Sequence, residues 1–188
     1  EQSILLDHSL VTHPDGTMTG DSILYDKKRE ICQAYYDVVI DNQKDKATYF
    51  GDYGYLDQAN GYTYATGRAY VMDYSEEDTL YMSAEIMEGI KRNLPPPPGA
   101  TDSLEVRYTK GYHDVRLYRK DIQAIGDSVH YFSLDSLIKL FGSPILWNDS
   151  TQLKGDTIYA HLANDTIDHA FAWQNASTVR WIDSVKQD

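Results

Sequence analysis

The segment IGDSVHYFSLDSLIKLFGSPILW, residues 125–147, reads as a strand, a tight turn and a returning strand. Alternate residues are apolar, the period of two that a half-buried strand needs. Ser133-Leu134-Asp135-Ser136 supplies the turn chemistry between the two runs. The opening step, Gly126-Asp127-Ser128, recurs along the chain. Gly20-Asp21-Ser22 and Gly155-Asp156-Thr157 match it, and Gly51-Asp52-Tyr53 nearly does.

Aligning the chain on these steps exposes an internal repeat. Each step precedes a strand-like run, then a polar turn such as 26–29, 57–61 or 163–166, then a returning run. In three units the residue sixteen positions after the glycine is Tyr36, Gly67 or Gly142. Alternating apolar residues follow it: Val38 and Ile40, Ala69 and Val71, Pro144 and Leu146. The fourth unit stretches at Gln174-Asn175-Ala176. A further unit starts at Leu80, is interrupted by Pro95 to Pro98, and returns at His113-Asp114-Val115. Four prolines cannot sit in a ladder, so we read about 91–105 as an insertion within one domain spanning 1–188. The whole reads as all-β, with about five hairpin units and about ten strands. The step itself reads as the start of each strand. A single sheet of that size curls or folds over into two layers, with alternate residues inside.

Composition narrows the function. The chain has 188 residues and a net charge of −12, which argues against nucleic-acid binding. Its basic run Lys27-Lys28-Arg29 falls in a turn. Sixteen Tyr against 4 Phe and 3 Trp suit strands with one wet face. The one cysteine, Cys32, reads as a packing residue. No apolar run is long enough for a membrane helix. The chain starts at Glu1 with no visible signal peptide, consistent with removal of an export signal.

Catalytic chemistry finds little support. An active site needs different residue types converging once, whereas Gly-Asp-Ser/Thr repeats in register, as architecture does. The Asp-rich turns lack a calcium loop. The six histidines lack zinc spacing, although strand spacing could bring His130 and His161 near each other across neighbouring units. A glycosidase-type carboxylate pair stays as the least favoured alternative. We expect no catalytic residue, no metal and no cofactor. Asp78-Thr79-Leu80, Asp102-Ser103-Leu104 and Asp183-Ser184-Val185 resemble a bacterial O-glycosylation motif.

The order and spacing of three stretches resemble the OstA-like family, of the LptA type that transports lipopolysaccharide in the periplasm. They are Thr19-Gly20-Asp21-Ser22-Ile23-Leu24-Tyr25, Ala65-Thr66-Gly67-Arg68-Ala69-Tyr70-Val71, and Val115 to Asp121 running into the quoted segment. The resemblance covers about residues 11–182. It implies a folded-over, open antiparallel β-jellyroll whose cleft holds acyl chains. It also implies a non-enzymatic lipid-binding bridge module of outer-membrane biogenesis, located in the periplasm or at the outer membrane. Partners would be lipopolysaccharide or another acylated lipid and other transport components joined by edge-strand addition, including head-to-tail copies of itself. The proline insertion and the acidic charge depart from the family's pattern. Alternation places Ile23, Tyr25, Val38, Ile40, Leu56, Ala69, Val71, Val115, Leu117, Val129, Tyr131, Leu146 and Ile158 on the inward face as cleft-lining candidates. The alternative is an extracellular or surface β-repeat interaction module whose same residues fill a closed core.

Overall fold

Polar clusters in the sequence become turns, and the alternating runs between them become strands. The computed structural model describes residues 2–96, 98–99, 101–163 and 166–181, and among these there is no helix. The first strands are β1 (Gln2–His13), β2 (Gly16–Asp26), β3 (Ile31–Asn42) and β4 (Ala47–Asp57). Shorter ones follow: β5 (Tyr62–Thr66), β6 (Tyr70–Asp73), β7 (Leu80–Ser83) and β8 (Ile86–Leu94). Then come β9 (Leu104–Arg119), β10 (Ile122–Phe132), β11 (Leu137–Phe141) and β12 (Ile145–Asn148). The last are β13 (Thr151–Lys154), β14 (Thr157–Ala163), β15 (Thr166–Trp173) and β16 (Ser177–Arg180). Turn chemistry is as the residues dictate. The Asp26 carboxylate accepts from the Lys28 and Arg29 amides at 3.1 and 3.2 Å, and Asp57 accepts from the Asn60 amide at 3.0 Å.

All 16 strands belong to one sheet, and the sheet is folded in two. Long strands have a foot in each half. β4 pairs with β5 through residues 53–57 and with β6 through 47–50. β9 pairs with β8 through 104–112 and with β7 through 116–118. β10 pairs with β11 through 128–132 and with β12 through 122–125. One layer therefore contains β5, β8, β11, β14 and β15, and the other β6, β7, β12, β13 and β16. The halves of β1–β4, β9 and β10 complete both.

The fold line is where the repeat has its meaning. On alternate strands the chain turns the corner with two consecutive left-handed residues. These pairs are Asp7-His8 (φ 67 and 46), Tyr36-Asp37 (59 and 47), Gly67-Arg68 (73 and 54), His113-Asp114 (66 and 51), Gly142-Ser143 (78 and 56) and Gln174-Asn175 (55 and 50). A left-handed L-residue costs about 1–2 kcal/mol, so each corner holds strain that the surrounding ladder must impose. On the strands between them the same rung carries Gly20-Asp21, Gly51-Asp52, Ala84-Glu85, Gly126-Asp127 or Gly155-Asp156. Register shifts mark the corner at Leu6/Ser9, Thr19/Ser22, Tyr35/Val38 and Gly126/Ser128. The glycine is there because neighbouring backbone crowds it. A Cβ on Gly51 would lie 2.7 Å from the Thr66 carbonyl oxygen, and one on Gly126 3.0 Å from that of Phe141. The following acid faces the next rung: Arg68 pairs with Asp52, and His113 lies 3.5 Å from Asp127.

Three expectations are corrected. The Gly-Asp step begins a strand at Gly155-Asp156, ahead of β14, but in β2, β4 and β10 it lies mid-strand, at the corner. A corner bulge keeps the hydrophobic alternation going on both sides, so the sequence shows a beat without showing a bend. The stretch read as an insertion, about 91–105, overlaps the β8–β9 ladder, which runs from Ile86–Tyr112 out to Leu94–Leu104. His130 and His161 do not meet: β11 intervenes, His130 facing Lys139, while His161 stacks on His169 at 4.4 Å. Asp183-Ser184-Val185 lies outside the described residues.

Candidate functional site

Between the layers lies one continuous apolar interior. The first layer contributes Ile23, Leu56, Met87, Val129, Ile138, Leu140 and Ile158, and the second Met18, Val38, Ile40, Val71, Met82, Val115, Leu117 and Leu146. Every cleft-lining candidate points into it. Ile23, Val38, Ile40, Leu56, Ala69, Val71, Val115, Leu117, Val129, Leu146 and Ile158 are buried, and Tyr25 and Tyr131 pack partly buried against them. Sequence reasoning missed Met18, Ala34, Met82, Met87, Ile138 and Leu140, although the same alternation marks them. Leu24, Tyr53, Tyr55 and Tyr159 lie on the outer faces.

Opposite the corner, the hairpin turns of the two layers form a mouth. Two cavities open there. One, of about 290 Å³, is walled by Ala47, Tyr49, Leu56, Thr63 and Thr109, with His13, Lys91 and Arg107 at its rim. Burial pushes the Tyr49 phenol up to about 12, against a hydrogen bond with Thr109. The other, of about 350 Å³, is bounded by Asp73, Glu76, Asp78, Leu80, Arg119 and Leu162. Arg119 is buried and pairs with Asp121 at 2.7 Å.

The outer face of the first layer is aromatic and wet, as the tyrosine count suggests. Tyr62 donates to Glu88 at 2.6 Å, and His130 lies among Tyr112 at 5.9 Å and Phe141 at 5.2 Å. The His130 imidazole is held below its ordinary value, first by burial, then by Lys110 and Lys139, with Glu88 opposing. His13 is lowered too, by burial first, with Asp15 opposing and Lys91 adding to it. The unfolded chain titrates these groups near pH 6.5 and takes up protons that the folded chain refuses. Their contribution is therefore full above about pH 6.5 and is lost as pH falls through the lower folded values. We expect the denaturant midpoint to fall between pH 7 and pH 5, and to fall less in His130→Phe. An equal fall in both proteins contradicts the role given to His130.

At the ends of the folded sheet, among the described residues, β1 pairs only with β2, β15 only with β14 and β16 only with β13. Both ends display apolar side chains: Ile4 and Leu6 on one, Phe171, Trp173 and Val179 on the other. Such edges are templates for further strand pairing. Among the described residues no group of His, Cys, Asp and Glu has the arrangement of a metal site.

The fold and site together define an all-β, two-layer sheet with an apolar interior, closed along one corner and clasped at the mouth. No family model matches the chain, and no curated protein matches it. A solved structure titled as LptH, the LptA homologous periplasmic component of the conserved lipopolysaccharide transport device from Pseudomonas aeruginosa, is similar over 97% of this chain and 96% of that chain. The two are 13% identical, with a TM-score of 0.35.

Proposed function

We propose that this chain is a non-enzymatic, periplasmic carrier or bridge module for lipopolysaccharide, with acyl chains held between the two layers. The observation that carries this reading is the single corner. Among the described residues all ladder hydrogen bonds run within a layer or along the fold line, so the layers can part at the mouth without breaking the sheet. Parting exchanges apolar contacts between layers for apolar contacts with acyl chains, while each chain methylene withdrawn from water contributes about 0.8 kcal/mol. The repeated Gly-Asp rungs and the resemblance in sequence support the same reading. The exposed edges suit head-to-tail strand addition to other copies or to other transport components.

A second reading, a structural repeat module without lipid, is favoured by how completely the interior is filled. Ile23, Met87, Val129, Leu140 and Ile158 are 0% exposed. Equilibrium binding separates the two. The carrier binds lipopolysaccharide and does not bind its deacylated oligosaccharide. Absence of binding to both, or equal binding to both, overturns the carrier reading.

A further inference from the structure

The clasp at the mouth is made of charge. Lys91 on β8 belongs to the first layer and is only 17% exposed. Its Nζ lies 2.9 Å from Asp45, 3.5 Å from Asp15 and 3.8 Å from Glu105. Asp15 and Asp45 sit in hairpin turns of the second layer, so Lys91 ties one layer to the other. Arg107 of β9 adds a second tie, donating to the Asp45 carbonyl oxygen. Lys44, in the same turn as Asp45, returns the contact to Glu105 at 3.2 Å. The larger mouth cavity differs: among the described residues it has no ion pair between layers, since Arg119 pairs with Asp121 of its own layer. The 290 Å³ cavity directly under Lys91 and Arg107 has apolar walls at Ala47 and Leu56 and one buried polar atom without a partner, His13 Nε2.

We propose that this cluster is an ionic latch over the interior, and that an anionic lipid headgroup opens it by taking Lys91 and Arg107 from Asp15 and Asp45. The proposal rests on the carrier reading and adds the chemistry of the ligand's head. A partly buried pair is poorly screened, so salt alone is a weak key. A phosphate is a strong one, because a guanidinium binds it in a bidentate fork and an ammonium adds a point charge. The acyl chain then enters the cavity that the latch had covered. This gives a net-acidic chain two cations at the mouth, Lys91 and Arg107, for which a lipid phosphate competes with Asp15 and Asp45.

The test is a distance across the mouth. Spin labels go at Gln43→Cys and Ala59→Cys, exposed positions in turns of opposite layers. The native Cys32 is buried, its thiol pushed up to about 11 by burial, and does not compete for label. Without lipid, the labelled protein shows one short distance. Lys91→Gln lengthens it by about 5 Å or more, half the ~10 Å spacing of packed sheets. Lys91→Arg keeps it short. Asp15→Asn with Asp45→Asn lengthens it from the other side and guards against a folding defect particular to Lys91→Gln. Lipid A opens the wild type, and its dephosphorylated form opens it at least tenfold less readily. An unchanged distance in both charge-removing variants overturns the latch. Equal opening by the two lipids overturns the headgroup role and leaves the carrier reading intact. Binding of neither lipid, with Lys91→Gln open, overturns the carrier reading and the headgroup step with it.

Discussion

Val129→Asp leaves the protein unfolded at neutral pH. Val129 is 0% exposed, at the centre of the first layer's inner face. Its neighbours on β9 and β11 are Gly111 and Leu140, which offer no side-chain hydrogen bond to a carboxyl. The substitution forfeits about 1.5–3 kcal/mol of apolar burial. It adds about 2–7 kcal/mol for a polar group without a partner, even after the carboxyl takes up a proton to shed its charge. Together these match most of the roughly 5–15 kcal/mol that holds an ordinary domain folded. Circular dichroism and a denaturant titration check the outcome. Val129→Ala, which removes volume without adding polarity, costs about 2 kcal/mol and stays folded. A cooperative, wild-type-like transition in Val129→Asp would mean that this face is wet, and the two-layer account would fail.

Gly51→Val is the second large effect, and it tests the corner itself. The added Cβ meets the Thr66 carbonyl oxygen at 2.7 Å and the Thr66 backbone nitrogen and carbon at 3.4 Å. All three are backbone atoms of the neighbouring strand, so relief requires β5 to move away. It cannot move freely, because the Asp52 amide donates to the Gly67 carbonyl at 2.8 Å just beside it. Overpacking of this kind costs about 3 kcal/mol. The midpoint of denaturation falls accordingly while its slope is unchanged. The equivalent rung at Ala84 already has a Cβ, and Ala84→Gly there costs about 1 kcal/mol or less. Equal effects at the two sites would show that Gly51 is not held by its neighbour.

The inward faces were legible because burial has the period of the strand. Ile23 with Tyr25, Val38 with Ile40, and Val129 with Tyr131 are two apart and share a face. The Gly-Asp step was legible as a repeat and illegible as a corner. Its glycine answers a carbonyl on another strand, and nothing in the local sequence announces that oxygen. The left-handed partners were hidden for a related reason. Tyr36-Asp37, His113-Asp114 and Gln174-Asn175 have no shared composition, since the ladder on either side imposes their backbone. The sixteen-residue interval to Tyr36, Gly67 and Gly142 was their one trace. The latch left no trace at all: Arg107 and Asp45 are 62 residues apart and meet only once the sheet has folded over.

The central claim is that acyl chains enter between the layers. The protein's methionines report on it directly. Met18, Met82 and Met87 are at most 1% exposed and face the interior from both layers, whereas Met72 lies on the opposite face of β6. Titration of lipopolysaccharide into protein with isotope-labelled methionine methyl groups tests it by nuclear magnetic resonance. The account predicts that the Met18, Met82 and Met87 methyl signals move on binding while Met72 stays in place. Binding that moves Met72, or no signal from the interior, would contradict it.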